Sequence, residues 1–244
     1  MNPNEQEKSD YRIAYIRASD LGNLGVIAPH KKKIYGRYTI DWLISRVDSG
    51  ANLKYATFWK ADDGCENNML SQWYSGSRIA INGRYYDTAE QYMMSEKALL
   101  FGDIESYRKI MEEPDPAICK KLGRNVKGFN PDAWDKAFRE IIFHGNIGKL
   151  QSNIEVVDAL LSTENAVLIE ASPFDDIYGA GMEKHDLLNL DGTLKVKPDQ
   201  WHKAGSTKQA ENHLGFVLMA IRDLFWQLMG FSWFPGEDQK KLSY

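Results

Sequence analysis

The most apolar stretch of the chain, LGFVLMAIRDLFWQLMGF at residues 214–231, constrains the fold more than any other segment. Its length and composition are those of a helix, but Arg222, Asp223 and Gln227 interrupt the apolar run, which argues against a membrane span. We therefore expect an amphipathic helix that begins after Asn212 and is buried in a soluble core. The residues expected to face that core are Leu214, Val217, Leu218, Ile221, Phe225 and Leu228.

Composition places the chain among ordinary soluble globular proteins. It has 244 residues, of which 43% are hydrophobic and 26% charged, enough for one large domain or two small ones. No internal repeat, low-complexity tract or linker divides the sequence, so one domain with an N-terminal extension is the simpler prediction. The first residues, MNPNEQEKSD, are polar and lack the apolar run of a signal peptide.

Charge and cysteine content narrow the classes of function. The formal net charge of −4 argues against an extended basic surface for duplex DNA. Lys195, Lys197 and the basic run at 31–33 still leave room for a local basic track. The two cysteines, Cys65 and Cys119, have no metal-type spacing, which indicates neither a disulfide framework nor a zinc site. These features predict a protein of the reducing cytoplasm.

The other segments alternate between short strands and helices. Strands are predicted at 11–18 and 166–172, a strand that ends in a turn at 54–64, and a strand with a tight turn and a cap at 81–88. Helices are predicted at 106–114, 116–126, 131–150 and 153–163. The polar segment from Met182 to Ala210 contains Gly192 and Pro198 and is predicted to be a long loop. The resulting fold class is α+β, helix-rich, with a few short strands.

One acid occupies a position that suits both a structural and a chemical role. Residues 81–88, INGRYYDT, predict a strand and a tight Asn-Gly turn ahead of a helix. Thr88 with Gln91 fits a capping box, and so does Asp87 with Glu90. Either register places Glu90 in the first helical turn, where the helix dipole favours an ionised carboxylate.

At helical spacing Glu90 shares a face with Met94, Lys97 and Phe101. This mixture of charge and apolar surface is typical of the wall of a ligand cleft. The alternative is that Glu90 only caps the helix and that Lys97 is a solvated charge. On this segment alone, the helix cap is the simpler interpretation.

A second acidic element follows the strand predicted at 166–172. In SPFDDIYGAG, Asp175 and Asp176 come directly after that strand and next to Tyr178, where a carboxylate is well placed to line a site. The alternative is an aspartate that holds its own loop together through side-chain to backbone bonds. The sequence leaves both interpretations open. Gly179 and Gly181 would let backbone amides approach a phosphate, although a plain turn is the simpler interpretation.

The remaining chemistry-bearing residues have structural alternatives. Asn212 is either a helix N-cap or a site residue, and Arg222 is expected to form a structural ion pair. The histidines show no metal-type spacing, and neither cysteine has a clear histidine partner in the sequence, so no metal site or thiol nucleophile is predicted. A cation held by Asp175 and Asp176 is the one metal hypothesis left open.

Several motifs, in order, resemble the NADAR family of YbiA-like N-glycosidases. They are FWKADDG with LSQWY, AEQYMMSEKALLFGD, LGRNVKGF with AW, LIEASPFDDIYGAG and NHLGFVLMAIR, and they span Phe58 to Arg222. The resemblance implies a helix-rich single domain of the NADAR type at 52–235. It leaves a partly disordered N-terminal extension at 1–51 and a C-terminal tail at 236–244. It implies no cofactor.

The resemblance also assigns site residues, motif by motif. Glu90 matches the essential glutamate of the family and Asp175 the aspartate of its D-x-x-W-G loop, and these two are the predicted catalytic residues. The predicted substrate-binding residues are Lys97, Trp134, Tyr178, Gly179 and Asn212. Two features depart from the family pattern. Tyr178 stands where most members have tryptophan, and the segment from Met182 to Ala210 is longer than in compact members.

Cleavage of an N-glycosidic bond passes through an oxocarbenium-like centre, which needs a carboxylate to stabilise the charge or activate water. We expect ionised Glu90 to do this and Asp175 to orient the ribose or the water. Trp134 and Tyr178 are expected to sandwich the leaving base. Lys97 and the amides of 179–181 are expected to hold phosphate or ribose oxygens.

The substrate is open within the family. Some members cleave phosphoribosylated pyrimidine intermediates of riboflavin synthesis, and others remove ADP-ribose from guanine bases in DNA. We expect the second activity, with guanine in DNA or in a nucleotide, single-stranded DNA as one candidate partner and no membrane. A non-hydrolytic module that binds ADP-ribose or NAD-like ligands is the alternative from another class, and a purely structural protein is a third. The sequence leaves the oligomeric state open.

Overall fold

Helices make up most of the fold, and the strands are short. The structure is a computed structural model that describes residues 36–62, 64–65, 67–76 and 78–242. Its helices are α1 (Ile40–Asp48), α2 (Ala89–Leu100), α3 (Ile104–Met111), α4 (Pro116–Arg124), α5 (Pro131–Ser152), α6 (Ile154–Ser162), α7 (Lys184–Leu187) and α8 (His213–Leu228). Its strands are β1 (Tyr55–Phe58), β2 (Ile79–Ile81), β3 (Arg84–Tyr86), β4 (Val167–Glu170), β5 (Phe231–Ser232) and β6 (Lys240–Lys241). The predicted helix-rich α+β class is confirmed.

Most predicted elements are found close to their predicted bounds. The four helices predicted between 106 and 163 correspond to α3–α6, and the predicted strands after residue 50 correspond to β1, the β2–β3 hairpin and β4. Asp115 and Asn130 cap α4 and α5 by accepting hydrogen bonds from first-turn amides, and a proline follows each cap. The strand predicted at 11–18 and the basic run at 31–33 lie outside the described residues.

Two distant strands pair in parallel and bring two loops together. β1 lies beside β4, with Tyr55 opposite Val167 and Phe58 opposite Glu170. Val167, Leu168 and Ile169 are fully buried, in agreement with the apolar run in the sequence. Because the strands are parallel, the loops that follow Phe58 and Glu170 begin at the same edge, where open α/β sheets usually bind ligands.

Helix α8 packs on β4, α5, α6 and β5 and forms the centre of the core. Every residue from His213 to Trp226 is buried, so the predicted amphipathic character of this helix is wrong. Leu228, predicted to face the core, is 48% exposed because it lies past the end of the packed region. Within the described ranges, no helix has both the length and the apolar composition that a bilayer crossing requires.

The charged residues of α8 are buried because each has polar partners. Arg222 donates to the Thr163 hydroxyl at 2.6 Å and to the Ala166 carbonyl at 2.7 Å. The expected ion pair of Arg222 is thus replaced by hydrogen bonds to neutral oxygens. Asp223 accepts a hydrogen bond from the Tyr38 hydroxyl at 2.6 Å and forms a salt bridge with Arg37.

The long segment at 182–210 is more ordered than a simple loop. It contains α7, a 3₁₀ turn at Pro198–Gln200 and an isolated β-bridge between Leu188 and Leu194. Leu187, Trp201 and Ala210 are fully buried, which the surrounding polar residues concealed in the sequence. The segment is therefore anchored in the core at several points.

The predicted N-terminal boundary at residue 52 stays a prediction, but α1 packs tightly on the domain. Leu43 is fully buried in the main core, and Tyr38 joins it just before the helix. At the other end, β6 pairs with β5. Residues 36–51 and 236–242 thus contribute to the packed structure on both sides of the predicted domain.

Candidate functional site

The start of α2 is capped by Thr88, in one of the two predicted registers, with Gln91 reaching back one residue beyond the cap. The Thr88 hydroxyl accepts a hydrogen bond from the Gln91 amide at 3.1 Å, and the Gln91 side chain accepts one from the Asp87 amide at 2.7 Å. The preceding hairpin turns through Asn82 and Gly83, both with positive φ, as the Asn-Gly pair predicts. Because Gln91 completes the cap, the Glu90 carboxyl is not used for capping.

Glu90 is buried in an environment that opposes its charge. The residue is 2% exposed, and its Oε1 is shielded from solvent with no hydrogen-bond partner among the described residues. Burial has the largest effect and raises the pKa of Glu90 to about 7. Among the nearby groups, Lys120 lowers this pKa most, Asp175 raises it, and Trp73 and Arg124 make smaller contributions that lower it. The helix dipole therefore does not by itself set the pKa of Glu90. A dipole contributes about 1 kcal/mol or less, whereas taking a carboxylate out of water costs several.

Asp175 holds its own loop together, as one of the two interpretations predicts, and its role in a site stays a prediction. Its Oδ1 accepts hydrogen bonds from the Ile177 amide at 3.1 Å and the Tyr178 amide at 2.9 Å, which holds the loop together. Its Oδ2 accepts a hydrogen bond from the Lys120 ammonium at 2.9 Å. The structure thus brings the two predicted catalytic acids, Glu90 and Asp175, into one electrostatic cluster through Lys120.

Lys120 is a member of the cluster that sequence reasoning missed. It lies on α4 among other charged residues, and nothing in the PAICKKLGRNV segment separates it from Lys121. Burial lowers the pKa of Lys120, but the negative charges of Glu90 and Asp175 outweigh that effect and raise it above its usual value. Lys120 therefore stays a cation between two acids.

Glu170 is the second missed member. It is the last residue of β4, and its Oε2 is shielded with no hydrogen-bond partner among the described residues. Burial raises the pKa of Glu170 to about 8, with a further increase from Asp175, a decrease from Lys120 and an increase from Glu90. One sequence signal could have found it: an acid at the carboxyl end of a strand that is otherwise wholly apolar.

The glycine loop supports Glu170, and two of its amides are bonded within the protein. The Ala180 amide donates to the Glu170 carbonyl at 2.8 Å, and the Gly181 amide donates to the Asp175 carbonyl at 3.0 Å. The expected contact of these two amides with phosphate is therefore wrong, because they are already bonded within the protein. Gly179 is required by space, since a Cβ there would lie 2.8 Å from the Glu170 carbonyl oxygen.

Gly179→Ala should displace this loop. We expect a loss of activity of tenfold or more, because the new methyl group must push the Glu170 carbonyl or the Asp175 loop out of place. Initial rates of the base release proposed below would measure the effect. Gly205→Ala, in an open loop outside the cluster, is the control: its Cβ meets nothing within 4 Å and its φ of +77° adds backbone strain, so it should lose some stability and keep its rate. Equal activity of Gly179→Ala and wild type would contradict the packing argument.

Asn212 lies behind the site. It is fully buried, its Nδ2 donates to the Leu168 carbonyl at 2.9 Å, and its Oδ1 accepts from the Glu170 amide at 3.0 Å. Asn212 occupies the N-cap position of α8, as one of the two interpretations predicts, but its side chain makes no capping hydrogen bond. The side chain, predicted to bind substrate, instead ties β4 to the start of α8 and fixes the backbone of Glu170.

The predicted aromatic residues form one wall. The Trp134 indole donates to the Tyr178 hydroxyl at 3.2 Å, and the Lys97 ammonium lies 5.3 Å from the Trp134 ring centroid and 4.3 Å from that of Phe129. The direct bond leaves no space for a base between Trp134 and Tyr178, so the expected sandwich is not the arrangement present. Lys97 is half-buried, and burial, followed by Arg124, lowers its pKa.

Lys120→Met should change the pH dependence of the site. Among the groups around Glu90, Lys120 is the strongest that lowers its pKa. Without this cation the Glu90 pKa rises, so we expect the acidic limb of kcat/KM to move to higher pH. Lys121→Met, on the exposed side of α4, is the control. A limb that stays in place in Lys120→Met would contradict the assigned electrostatics.

The metal hypothesis receives no support at Asp175, where amides and Lys120 already occupy the carboxylate. Among the side chains described, no group of three His, Cys, Asp or Glu residues is arranged to hold a metal ion.

Comparison with known proteins gives a consistent result. The NADAR domain family matches residues 57–226. An N-glycosidase of Acanthamoeba polyphaga mimivirus is 38% identical over 160 residues, which cover 64% of this chain and 86% of the relative. An N-glycosidase of Nostoc punctiforme is 28% identical over 132 residues, which cover 54% of this chain and 81% of the relative.

A solved structure has the same fold. The NMR structure of the Escherichia coli protein YbiA matches with a TM-score of 0.52 and 20% identity, over 70% of this chain and 84% of YbiA. The family match covers the predicted motifs from Phe58 to Arg222 and includes Glu90, Asp175 and Glu170. Because this match spans most of the sequence, the chain belongs to the NADAR domain family.

Proposed function

We propose that the chain removes ADP-ribose from guanine, in DNA or in a nucleotide, by hydrolysing the N-glycosidic bond. Membership of a family with curated relatives named N-glycosidases makes the chain a hydrolase of N-glycosyl compounds. The observation that carries the proposal is the buried Glu90 carboxyl, with one oxygen left without a partner among the described residues, beside the Lys120–Asp175 pair.

Glu90 is suited to activate water. A general base works best when its pKa lies near the operating pH, and burial raises the pKa of Glu90 to about 7. Its unpartnered oxygen is available to accept a proton from water as the water attacks the anomeric carbon. The same negative charge stabilises the oxocarbenium-like centre. Asp175, held by two amides and Lys120, supplies a second fixed negative charge and a rigid loop.

The aromatic side chains of Trp134 and Phe129, with Lys97 beside them, suit the base and the groups attached to it. Trp134 and Phe129 offer ring surface on which a purine stacks, and Lys97 lies against both rings. In this role Lys97 contacts a phosphate or ribose oxygen. Gly179 and Asn212 contribute by fixing Glu170 and its loop, and do so without touching the substrate.

A neighbouring groove favours ADP-ribose over a smaller phosphoribosyl group. A cavity of about 670 Å³ lies at the carboxyl end of β1 and is lined in part by Trp59, Lys60 and Lys184. Trp59 lies 6.0 Å from Phe174, which immediately precedes Asp175, so the groove and the acid cluster share one loop. Pockets of this size hold whole nucleotides. The aromatic ring and the two cations match an adenine and a pyrophosphate.

The experiment is a comparison of two substrates. Purified protein is incubated separately with a single-stranded oligonucleotide carrying ADP-ribosylated guanine and with a phosphoribosylamino-pyrimidine, and the released products are identified by mass spectrometry. The proposal expects free ADP-ribose and restored guanine from the first, at a higher kcat/KM than any base released from the second. Preference for the pyrimidine would establish the riboflavin-type activity. Stoichiometric calorimetric binding without product would establish a binding module.

A further inference from the structure

Hydrolysis of the proposed substrate leaves one proton unaccounted for. The nitrogen that departs from the anomeric carbon must be protonated, while Glu90 takes a proton from water and cannot donate one in the same step. Asp175 is already occupied, since its two oxygens accept hydrogen bonds from three donors. A second carboxyl with an oxygen free to face the substrate is therefore required.

Glu170 has the geometry that this step needs. Resting on the proposed function, we propose that Glu170 is a second catalytic residue, which gives its proton to the leaving nitrogen as the glycosidic bond breaks. Like Glu90, it has one shielded carboxyl oxygen with no hydrogen-bond partner among the described residues. Its neighbours in the cluster are Glu90, Asp175 and Lys120, so it belongs to the same site.

Three parts of the fold hold Glu170 in place. The Asn212 side chain accepts a hydrogen bond from its amide at 3.0 Å, and the Ala180 amide donates to its carbonyl at 2.8 Å. Gly179 packs so closely that a Cβ there would lie 2.8 Å from the same carbonyl. The glycine loop and the asparagine before α8, which are far apart in the chain, thus converge on Glu170. Such a rigid support is expected for a group that must meet one atom of the substrate.

The charges around Glu170 favour the protonated form. Asp175 and Glu90 both repel a negative charge there, Lys120 is bonded to Asp175, and the Tyr178 hydroxyl lies in the same cluster. Burial and these acids raise the pKa of Glu170 to about 8. A carboxyl that is kept protonated in this way is suited to serve as an acid.

The proton balance closes over one turnover. The bond between the anomeric carbon and nitrogen breaks, its electron pair stays on nitrogen, and nitrogen takes the proton of Glu170. Water forms the new bond to the anomeric carbon and gives its proton to Glu90. Glu90 ends protonated and Glu170 ionised, and exchange with solvent restores both. The products are the free base and ADP-ribose.

Glu170→Gln separates this role from a structural one. Two substrates are compared: the oligonucleotide with ADP-ribosylated guanine, and the 4-nitrophenyl glycoside of ADP-ribose, whose phenolate leaves without protonation. We expect kcat to fall about 100-fold or more on the guanine substrate and less than about threefold on the nitrophenyl substrate. The alkaline limb of kcat/KM on guanine should disappear. Glu164→Gln, at the other end of β4, is the control and should behave as wild type.

The outcomes discriminate between the proposals. Equal losses on both substrates, or no loss on either, would overturn the role of Glu170 while leaving the glycosidase activity of the wild type intact. Wild type that releases neither guanine nor nitrophenolate would overturn the proposed function itself and the inference with it. If Glu170→Gln does not fold, Glu170→Asp keeps an acid one methylene shorter. It should show a partial loss confined to the guanine substrate, and a loss on both substrates would refute the role.

Discussion

Glu90→Gln is expected to lower kcat for guanine release by about 1,000-fold, with KM changed by less than about threefold. The substitution keeps the shape of the side chain and removes the base that accepts a proton from water, so binding survives and chemistry does not. In the wild type, kcat/KM should fall tenfold per pH unit below about 7, because the raised pKa of Glu90 lets it take up a proton there. Steady-state rates between pH 5 and 9 measure both effects.

The matched control is Glu96→Gln, a half-buried acid on the same helix but outside the cluster. It should retain wild-type rates, and both variants should unfold at temperatures close to that of the wild type. A Glu90→Gln protein that keeps more than a tenth of wild-type kcat would contradict the assignment of Glu90 as the base.

Lys149→Met is expected to change the pH dependence of stability. Lys149 is 1% exposed on α5 and donates to the carbonyls of Leu70 at 3.3 Å and Ser71 at 3.0 Å, and no carboxylate among the described residues accepts a hydrogen bond from it. Burial lowers its pKa from its usual 10.5 to about 7. The unfolded chain therefore binds this proton more tightly than the folded one. The Lys149 contribution to the free energy of unfolding should rise between pH 7 and 10.5, by about 1.4 kcal/mol per unit, and stay constant below pH 7.

Denaturant unfolding of both proteins from pH 7 to 10 tests this claim. The free energy of unfolding of Lys149→Met minus that of wild type should decrease by about a few kcal/mol as the pH rises over this range. Lys136→Met, at an exposed position on the same helix, should show no such trend. A difference that does not vary with pH would mean that Lys149 is charged in the folded protein at all pH values tested. Leu70 and Ser71, which Lys149 holds, are followed by Gln72. The Gln72 carbonyl accepts a hydrogen bond from the Glu90 amide at 3.0 Å.

The sequence was sufficient for features that depend on neighbouring residues. Thr88 and Gln91 predict the start of α2, and Asn82 with Gly83 predicts the hairpin before it, because caps and tight turns are formed by residues close in the chain. The loop-holding hydrogen bonds of Asp175, one of the two interpretations that the sequence allows, are local for the same reason. The resemblance to a known family adds Glu90 as a predicted catalytic residue.

The sequence was not sufficient for features that depend on packing between distant segments. The pKa of Glu90 is set mainly by burial against elements far away in the chain, and the local helix dipole does not by itself set it. The sequence predicts substrate contacts for Asn212 and Gly179. In the structure both contact Glu170, and this contact exists only because β4, the glycine loop and α8 pack together. Lys120 carries no local signal at all.

The most direct test of the account is product analysis in water enriched in ¹⁸O. Wild-type protein is incubated with ADP-ribosylated guanine in single-stranded DNA, and the masses of both products are measured by mass spectrometry. Hydrolysis at the glycosidic bond predicts unmodified guanine in the DNA and ADP-ribose that carries the label on its anomeric hydroxyl. Guanine that still carries ribose, with the label in phosphate, would show cleavage elsewhere in the substrate and contradict the account.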